Sequence, residues 1–404
     1  MKNKIKRALS WGSVVLCILA IFLVVPIARV LQKFVTSQWG PKIYGIGVLA
    51  VIVLVSGAIL YYLLFRKKIR SPGNYMWLSL VTGAYIYFTL KLWDSPIEAV
   101  HFLEYGLLGV LLFNALRFHI HDKSIYLTVF FIGMIVGIFD EVLQWIVPDR
   151  WWDIRDIGFN GISVGLSQIA LWLGIRPVSI SAKITKRSIK RMSIMSAANL
   201  ILIGLCLSNT PQRVQVYTQA LPFLSFLENQ EAMSELKYKY KDPEIGIFFS
   251  RLPGIELERQ DRERNQEFGD VLAHWRDKSY SEFLKFFPGS VHPFLHEIRV
   301  HIFRRDRRLE RVEQTEDPEE RKENFLIAFK ENLILEKYFG QSLEKSPYRW
   351  DAEKTGRIAT NIDVFQFYRS PVSAGIFATL NETILWGFIL FLLSGLLVLN
   401  LRNK

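Results

Sequence analysis

Residues 137–165, GIFDEVLQWIVPDRWWDIRDIGFNGISVG, decide how the chain is read. The stretch begins as the end of an apolar helix, yet it carries Asp140, Glu141 and Gln144. It turns through Pro148 and re-enters apolar sequence at Asn160 and Gly161. Ionisable groups at membrane depth are costly, and they face a bundle interior, a cavity or a partner. The 404-residue chain around them is 50% hydrophobic and 22% charged. That is too apolar for an ordinary soluble protein and too charged for a purely membrane one, so a mixed architecture is predicted.

Working outward, apolar runs fall at 11–28, 44–65, 75–92, 99–117, 125–147, 157–174, 193–209 and 382–401. Each approaches the roughly 20 residues that cross a bilayer. MKNKIKR followed by 11–28 reads as a retained first span rather than a cleaved signal, because the run is long and no small-residue cleavage site follows. With the N-terminus cytoplasmic, the inward segments hold 18 Lys/Arg, including RKKIR at 66–70 and KITKRSIKR at 183–191, against 6 in the short outward loops. The excess of inward cations predicts eight spans, both termini cytoplasmic, and residues 210–381 outside the cell (inner) membrane. Trp93, Trp145, Trp151 and Trp152 then fall at the outer interface, as an aromatic belt would.

The domain boundaries follow: two N-terminal helices at 1–74, a helical module at 75–175, a basic loop with the seventh span at 176–209, an extracytoplasmic α+β domain at 210–381, and a last helix at 382–404. In 210–381, IGIFF at 245–249 reads as a strand. HEIRVHIF at 296–303 alternates like one, and RRDRR at 304–308 reads as a turn or a charged continuation. PEERKENFLIAFKENLILEKYF at 318–339 reads as an amphipathic helix with Pro318 in its first turn. Residues 210–378 carry 26 Lys/Arg against 28 Asp/Glu, so the basic excess lies in the loops between spans and is not a nucleic-acid-binding face.

The remainder of the chain holds ten acidic residues. Eight of them fall in two places, Asp94, Glu98 and Glu104, and then Asp140, Glu141, Asp149, Asp153 and Asp156. The charge-derived topology puts both groups at the outer face. On a helix Glu98, His101 and Tyr105 share one stripe. Asp140 and Gln144 are one turn apart, and Asp153, Asp156 and Asn160 follow at i, i+3, i+7. Gly161 and Gly165 form a GxxxG pair that permits close helix approach.

The ordered set formed by Asp94, His101, Phe102 and Tyr105, then G-x-x-D-E-x-x-Q-x-x-x-P-x-R at 137–150, then D-x-x-x-N-G-x-x-x-G at 156–165, resembles the VanZ-like family, membrane proteins named for a teicoplanin-resistance protein. The resemblance covers about residues 75–175. The family often has Lys soon after the first Asp, where this chain has Ser95-Pro96. The resemblance implies a polytopic envelope module; it supplies no reaction and leaves the outward domain unexplained.

Several readings stay open. Asp140 and Glu141 either lock helices through Arg150, Arg155 or Lys91, or act on a substrate. His101 is either a hydrogen-bonded buried histidine or a general base. As catalytic candidates stand His101, Asp140 and Glu141; as binding candidates stand Asp94, Glu98, Tyr105, Gln144, Arg150, Asp153, Asp156 and Asn160. Arg150 has the planar fork that holds a phosphate or carboxylate. The expected partner is a membrane lipid or lipid-linked envelope molecule, with a protein partner possible for 210–381. Whether the chain is an enzyme is left open: it holds no GxSxG, P-loop or GxGxxG after a strand. No metal and no cofactor is expected. Glu98-x-x-His101 lacks the second Glu-x-x-His of a di-iron bundle. His274, His292, His296 and His301 do not fit one either, since a strand sends 296 and 301 to opposite faces. Cys17 and Cys206 lie in apolar runs and indicate no disulfide framework.

Overall fold

The computed structural model describes residues 2–93, 95–147, 150, 152–180, 183–230, 232–378 and 381–402. It is mostly helical and divides into two compact units, Met1–Cys206 with Thr383–Lys404, and Leu207–Glu382.

The first unit contains α1 (Lys2–Trp39), α2 (Ile43–Tyr61), α3 (Pro72–Lys91), α4 (Val100–Leu116), α5 (Ser124–Ile146), α6 (Ile154–Ile169), α7 (Lys186–Leu207) and, after the second unit, a final helix at Glu382–Arg402. Tyr62–Arg66 and Ala170–Ile175 continue α2 and α6 as π-helical turns. Among the described residues, six helices are long and apolar enough to cross a membrane. The shorter α4, at Val100–Leu116, is apolar too. In lipid every backbone N–H and C=O must be satisfied inside the segment, which is why long apolar runs fold as helices. α1 is longer than its apolar run at 11–28 because the basic residues before it and the polar residues after it stay helical.

The core of this unit joins α1, α4, α5 and α6: Val14 and Ile21 pack with Leu108, Leu112, Phe113, Val129 and Val164. α5 and α6 approach closely where each offers a glycine. Gly161 faces the Met134 sulfur, and a Cβ on Gly133 would lie 2.7 Å from Val164 Cγ2. Polar side chains staple the helices to backbone carbonyls. Tyr85 donates to Ser163 O at 2.7 Å, Ser163 Oγ to Phe102 O at 2.8 Å, and Asn74 to Gly174 O at 2.5 Å. Asp122 is buried and accepts from Ser188 Oγ and Ser124 N, which ties α7 to the start of α5. Trp145 and Trp152 are buried in protein rather than presented as an outer belt.

The second unit contains α8 (Pro211–Ala220), a 3-10 turn at Pro222–Asn229, β1 (Tyr238–Asp242), β2 (Gly246–Ser250), α9 (Gly254–Glu263), α10 (Asn265–His274), α11 (Tyr280–Phe286), α12 (Pro293–Gln314), α13 (Pro318–Tyr338), α14 (Gly340–Glu344), α15 (Ala352–Ala359) and β3 (Tyr368–Arg369). The final helix is therefore α16. β2 is central, antiparallel to β1 and parallel to β3. Gly246 has φ +115° against the Tyr368 backbone, where a side chain has neither the conformation nor the space.

Two sequence readings are corrected here. Residues 296–303 are helix, not strand, and RRDRR continues it rather than turning. Pro293 occupies the first turn, and Phe294, Ile298, Ile302 and Arg305 follow at helical spacing, all buried. Arg305 points inward, donating to Asn332 Oδ1 at 2.9 Å and Tyr348 O at 2.8 Å. The helix expected at 318–339 is present, capped by Asp317, which accepts from Glu319 N. It is buried on more than one side, and its buried residues include Asn324, Lys330, Glu331 and Asn332. The core is aromatic and aliphatic, built on Phe248, Phe268, Phe283, Phe294, Ile334 and Phe339.

Candidate ligand site at the ends of α4, α5 and α6

Of the eleven candidate residues, Asp94 lies outside the described residues. The other ten lie at the ends of α4, α5 and α6 or on the turns that join them. Glu98 stands on the turn before α4, and His101 and Tyr105 lie one turn apart on that helix, with rings 6.3 Å apart. α5 brings Asp140, Glu141 and Gln144, all buried, to its last two turns. α6 is capped by Asp153, whose side chain accepts from Arg155 N, and sends Asn160 inward two turns later.

Contacts divide this group in two. One part is saturated. Glu141 Oε1 accepts from Gln144 Nε2 at 2.8 Å, and its Oε2 accepts from Asp153 N at 3.1 Å. Arg150 donates to Gln144 Oε1, and Asp153 holds Arg155 with both oxygens. This chain of bonds ties the end of α5 to the start of α6.

The other part is not saturated. Tyr105 donates to Asp140 Oδ2 at 3.2 Å, but Asp140 Oδ1 has no hydrogen-bond partner among the described residues. Both side-chain atoms of Asn160 also lack one, although Asn160 is 0% exposed and Asp140 1%. Asn160 rests against Gly137, one turn below Asp140 on α5: a Cβ there would lie 3.1 Å from Asn160 Cβ and 3.5 Å from Tyr105 Cε1. His101 Nδ1 sits 3.4 Å from Glu104 Oε2, near enough to attract but off hydrogen-bonding geometry. Buried polar groups are nearly always hydrogen-bonded, so a cluster of exceptions calls for a physical account.

The cluster is partly exposed at His101 and Glu104, whose side chains are 18% and 28% accessible. Asp156 interacts electrostatically with Glu98, His101 and Glu141, so the acidic residues of both motifs share one field. Arg150 feels Asp140, Glu141 and Asp156, and also Arg29 of α1. Neither Asp140 nor Glu141 makes a direct ion pair among the described residues, which removes Arg155 and Lys91 as their locks. No group of His, Cys, Asp and Glu that could hold a metal ion is found among the described residues.

Gly137 and Glu104 stood in or beside the quoted motifs but outside the candidate residues; their place in those motifs was the signal available. Tyr85 and Ser163 gave no sequence signal, since each is an ordinary residue of an apolar run.

No curated protein and no solved structure matches the chain. A family model does: VanZ/LLP1 matches from residue 14 to residue 174. The match begins well before the quoted motifs, and the packing explains why, since α1 contributes Val14 and Ile21 to the α4–α6 core. Residues 14–174 are thus similar to the VanZ/LLP1 family, and the apolar helices are those of a membrane protein.

Proposed function

We propose that this chain is an integral protein of the cell membrane whose α4–α5–α6 polar cluster opens to the outer leaflet and binds an amphiphilic envelope molecule, a lipid headgroup or a lipid-linked glycan. The reading takes eight spans, both termini cytoplasmic and residues 210–381 extracytoplasmic, from the distribution of Lys and Arg. α3 and α4 count as spans in it because they pack against other apolar helices, α3 on α2 and α6 and α4 on α1, α5 and α6.

One observation carries the proposal: Asp140 and Asn160 are buried with polar atoms that no protein group satisfies. Leaving such a group unpaired costs about 1–3 kcal/mol, so a fold that retains several has a use for them. Arg150, half-buried and donating to Gln144 Oε1, supplies the planar donor fork for an anionic group. His101, beside Glu104, and Asp140, beside Tyr105, are the groups placed to hold or move a proton on a bound molecule.

A second reading is a non-enzymatic assembly protein whose outward domain recruits a protein partner. It is favoured for Glu141 and Gln144 alone, whose bonds to Asp153 and Arg150 are those of a helix lock.

The test is single replacement, His101→Gln, Asp140→Asn and Glu141→Gln, in the full chain. Folded yield, thermal stability in detergent and co-purifying lipid are read together. Asp140→Asn lowers bound lipid while leaving stability within about 1 kcal/mol, since only one of its oxygens is engaged. Glu141→Gln lowers stability. If all three retain the wild-type lipid complement, the binding reading is wrong.

A further inference from the structure

We infer that the part of the bound molecule reaching Asp140 and Asn160 is a neutral, hydroxyl-bearing group, a polyol such as a sugar ring or a glycerol. The inference rests on the proposed ligand-binding reading of this cluster and narrows the chemistry that fits it.

Asn160 Oδ1 accepts, Asn160 Nδ2 donates, and both are unpartnered, so the requirement holds whichever way the amide is turned. Asp140 Oδ1 accepts when ionised and donates when it carries the proton. The complementary group must therefore donate and accept at one place. A hydroxyl does both, and two neighbouring hydroxyls serve Asp140 and the Asn160 amide together. An ionised phosphate offers acceptors alone and leaves Asn160 Oδ1 unpaired. An ammonium offers donors alone and leaves Asn160 Nδ2 unpaired.

Charge points the same way. Glu98, Glu104, Asp140, Glu141 and Asp156 all interact electrostatically with His101. A phosphate is repelled by those carboxylates and is drawn to Arg150, which donates to Gln144 one turn beyond Asp140. A polyol at Asp140 and Asn160 with a phosphate at Arg150 is the order of groups in a glycosyl phosphate lipid and, equally, in a glycerol-headed phospholipid. The two sources share their chemistry and are separated by experiment.

The full-length protein, in detergent, is titrated with two pairs of lipids and binding is read by native mass spectrometry. The first pair is phosphatidylglycerol and phosphatidylmethanol, which keeps the phosphodiester and lacks the hydroxyls. The second is a polyprenyl-phosphate hexose and a polyprenyl methyl phosphate. Wild-type protein binds the hydroxylated member of at least one pair about tenfold or more tightly, because a site built to hydrogen-bond a hydroxyl discriminates against the analogue lacking it. The pair that shows the preference names the source.

Asn160→Leu brings that preference to within about twofold without weakening the methyl phosphate lipids. Asn160→Ser, which returns one donor and acceptor, restores part of it. Arg150→Gln weakens all four lipids and leaves the preference. A thermal melt accompanies each variant, and Asn160→Leu is expected to melt no lower than wild type because its amide has no partner to lose. Absence of preference in both pairs, or its survival in folded Asn160→Leu, overturns the polyol inference while Arg150-dependent binding still supports the site. Absence of binding by any of the four lipids overturns both.

Discussion

Glu331 in α13 and Asp140 in α5 are 0% and 1% exposed, yet their surroundings differ. Glu331 accepts from His301 Nδ1 at 2.6 Å, Tyr368 Oη at 2.5 Å, Ser370 Oγ at 2.9 Å and Arg304 Nε at 2.9 Å. Glu297, in the same unit, accepts from Ser250 Oγ, Arg251 N and Ser373 Oγ. These two carboxylates clamp the segment from Tyr368 to Ser373 onto α12 and α13, and every lone pair they need to share is shared. Asp140 has one donor, Tyr105, and Asn160 beside it has none. A buried carboxylate with a full set of protein donors explains itself as structure. One with an idle oxygen does not. The same distinction separates adjacent residues in α5, where Glu141 is saturated and Asp140 is not.

The widest separation between the two regions is expected from removing the acids. Glu331→Ala leaves His301, Arg304, Tyr368 and Ser370 facing each other without their acceptor and costs about 3–5 kcal/mol. Hydrogen exchange of α12 and α13 in the full chain reads it; a change below about 1 kcal/mol would break the comparison from the structural side.

Acid sharpens it next. His296 is pushed down from 6.5 to about 4, by burial first and then by Arg251, while the Phe287 carbonyl it donates to acts weakly in the other direction. The folded value lies below the unfolded one, so the unfolded chain binds the extra proton between those values. The stability it supports is full above pH 6.5 and is lost on falling toward pH 4, to the extent of about 3 kcal/mol. Glu331 adds to the loss in more acidic solution. Burial would raise its carboxyl, but His301, Tyr368 and Arg304 hold it below the ordinary range, so its contribution disappears as pH falls through that lowered value. Denaturation of the full chain from pH 7 to pH 4 checks both; a His296→Phe variant with an unchanged acid profile would refute the histidine part.

A smaller effect is expected at Gly137→Ala, whose Cβ enters the contact between Asn160 and Tyr105 and costs about 1–3 kcal/mol by overpacking. The thermal melt reads it. The smallest is Asn160→Leu, at zero to about 1 kcal/mol of gained stability, because an unpartnered amide is replaced by an apolar side chain of similar size. A loss above that amount would mean that the amide is structurally engaged, and the contrast with Glu331 would fail.

Much of the helical layout was legible because apolar runs near bilayer length have no other way to satisfy their backbones. The motif spacings likewise set His101 and Tyr105 one turn apart on α4. Residues 296–303 were misread because Ile298 and Ile302 satisfy a period of two and a period of four alike. Val300 completed the apparent alternation, while the deciding residues, Pro293 and Arg305, lay outside the window. Trp145 and Trp152 looked like interfacial side chains since tryptophan placement follows from depth, whereas their burial follows from neighbours on other segments. The split between Glu141 and Asp140 could not be read at all. It depends on a backbone N–H at Asp153, twelve residues on, that reaches one acid and not the other.

The central claim is that the idle oxygen of Asp140 and the amide of Asn160 are held for a ligand. A density map of the full chain in nanodiscs of native membrane lipid tests it most directly. The account predicts headgroup density entering between His101 and Glu104, with atoms at hydrogen-bonding distance from Asp140 Oδ1 and Asn160 and an anionic group against Arg150. Ordered water as the sole partner of those atoms, with acyl chains excluded from the cluster, would contradict it.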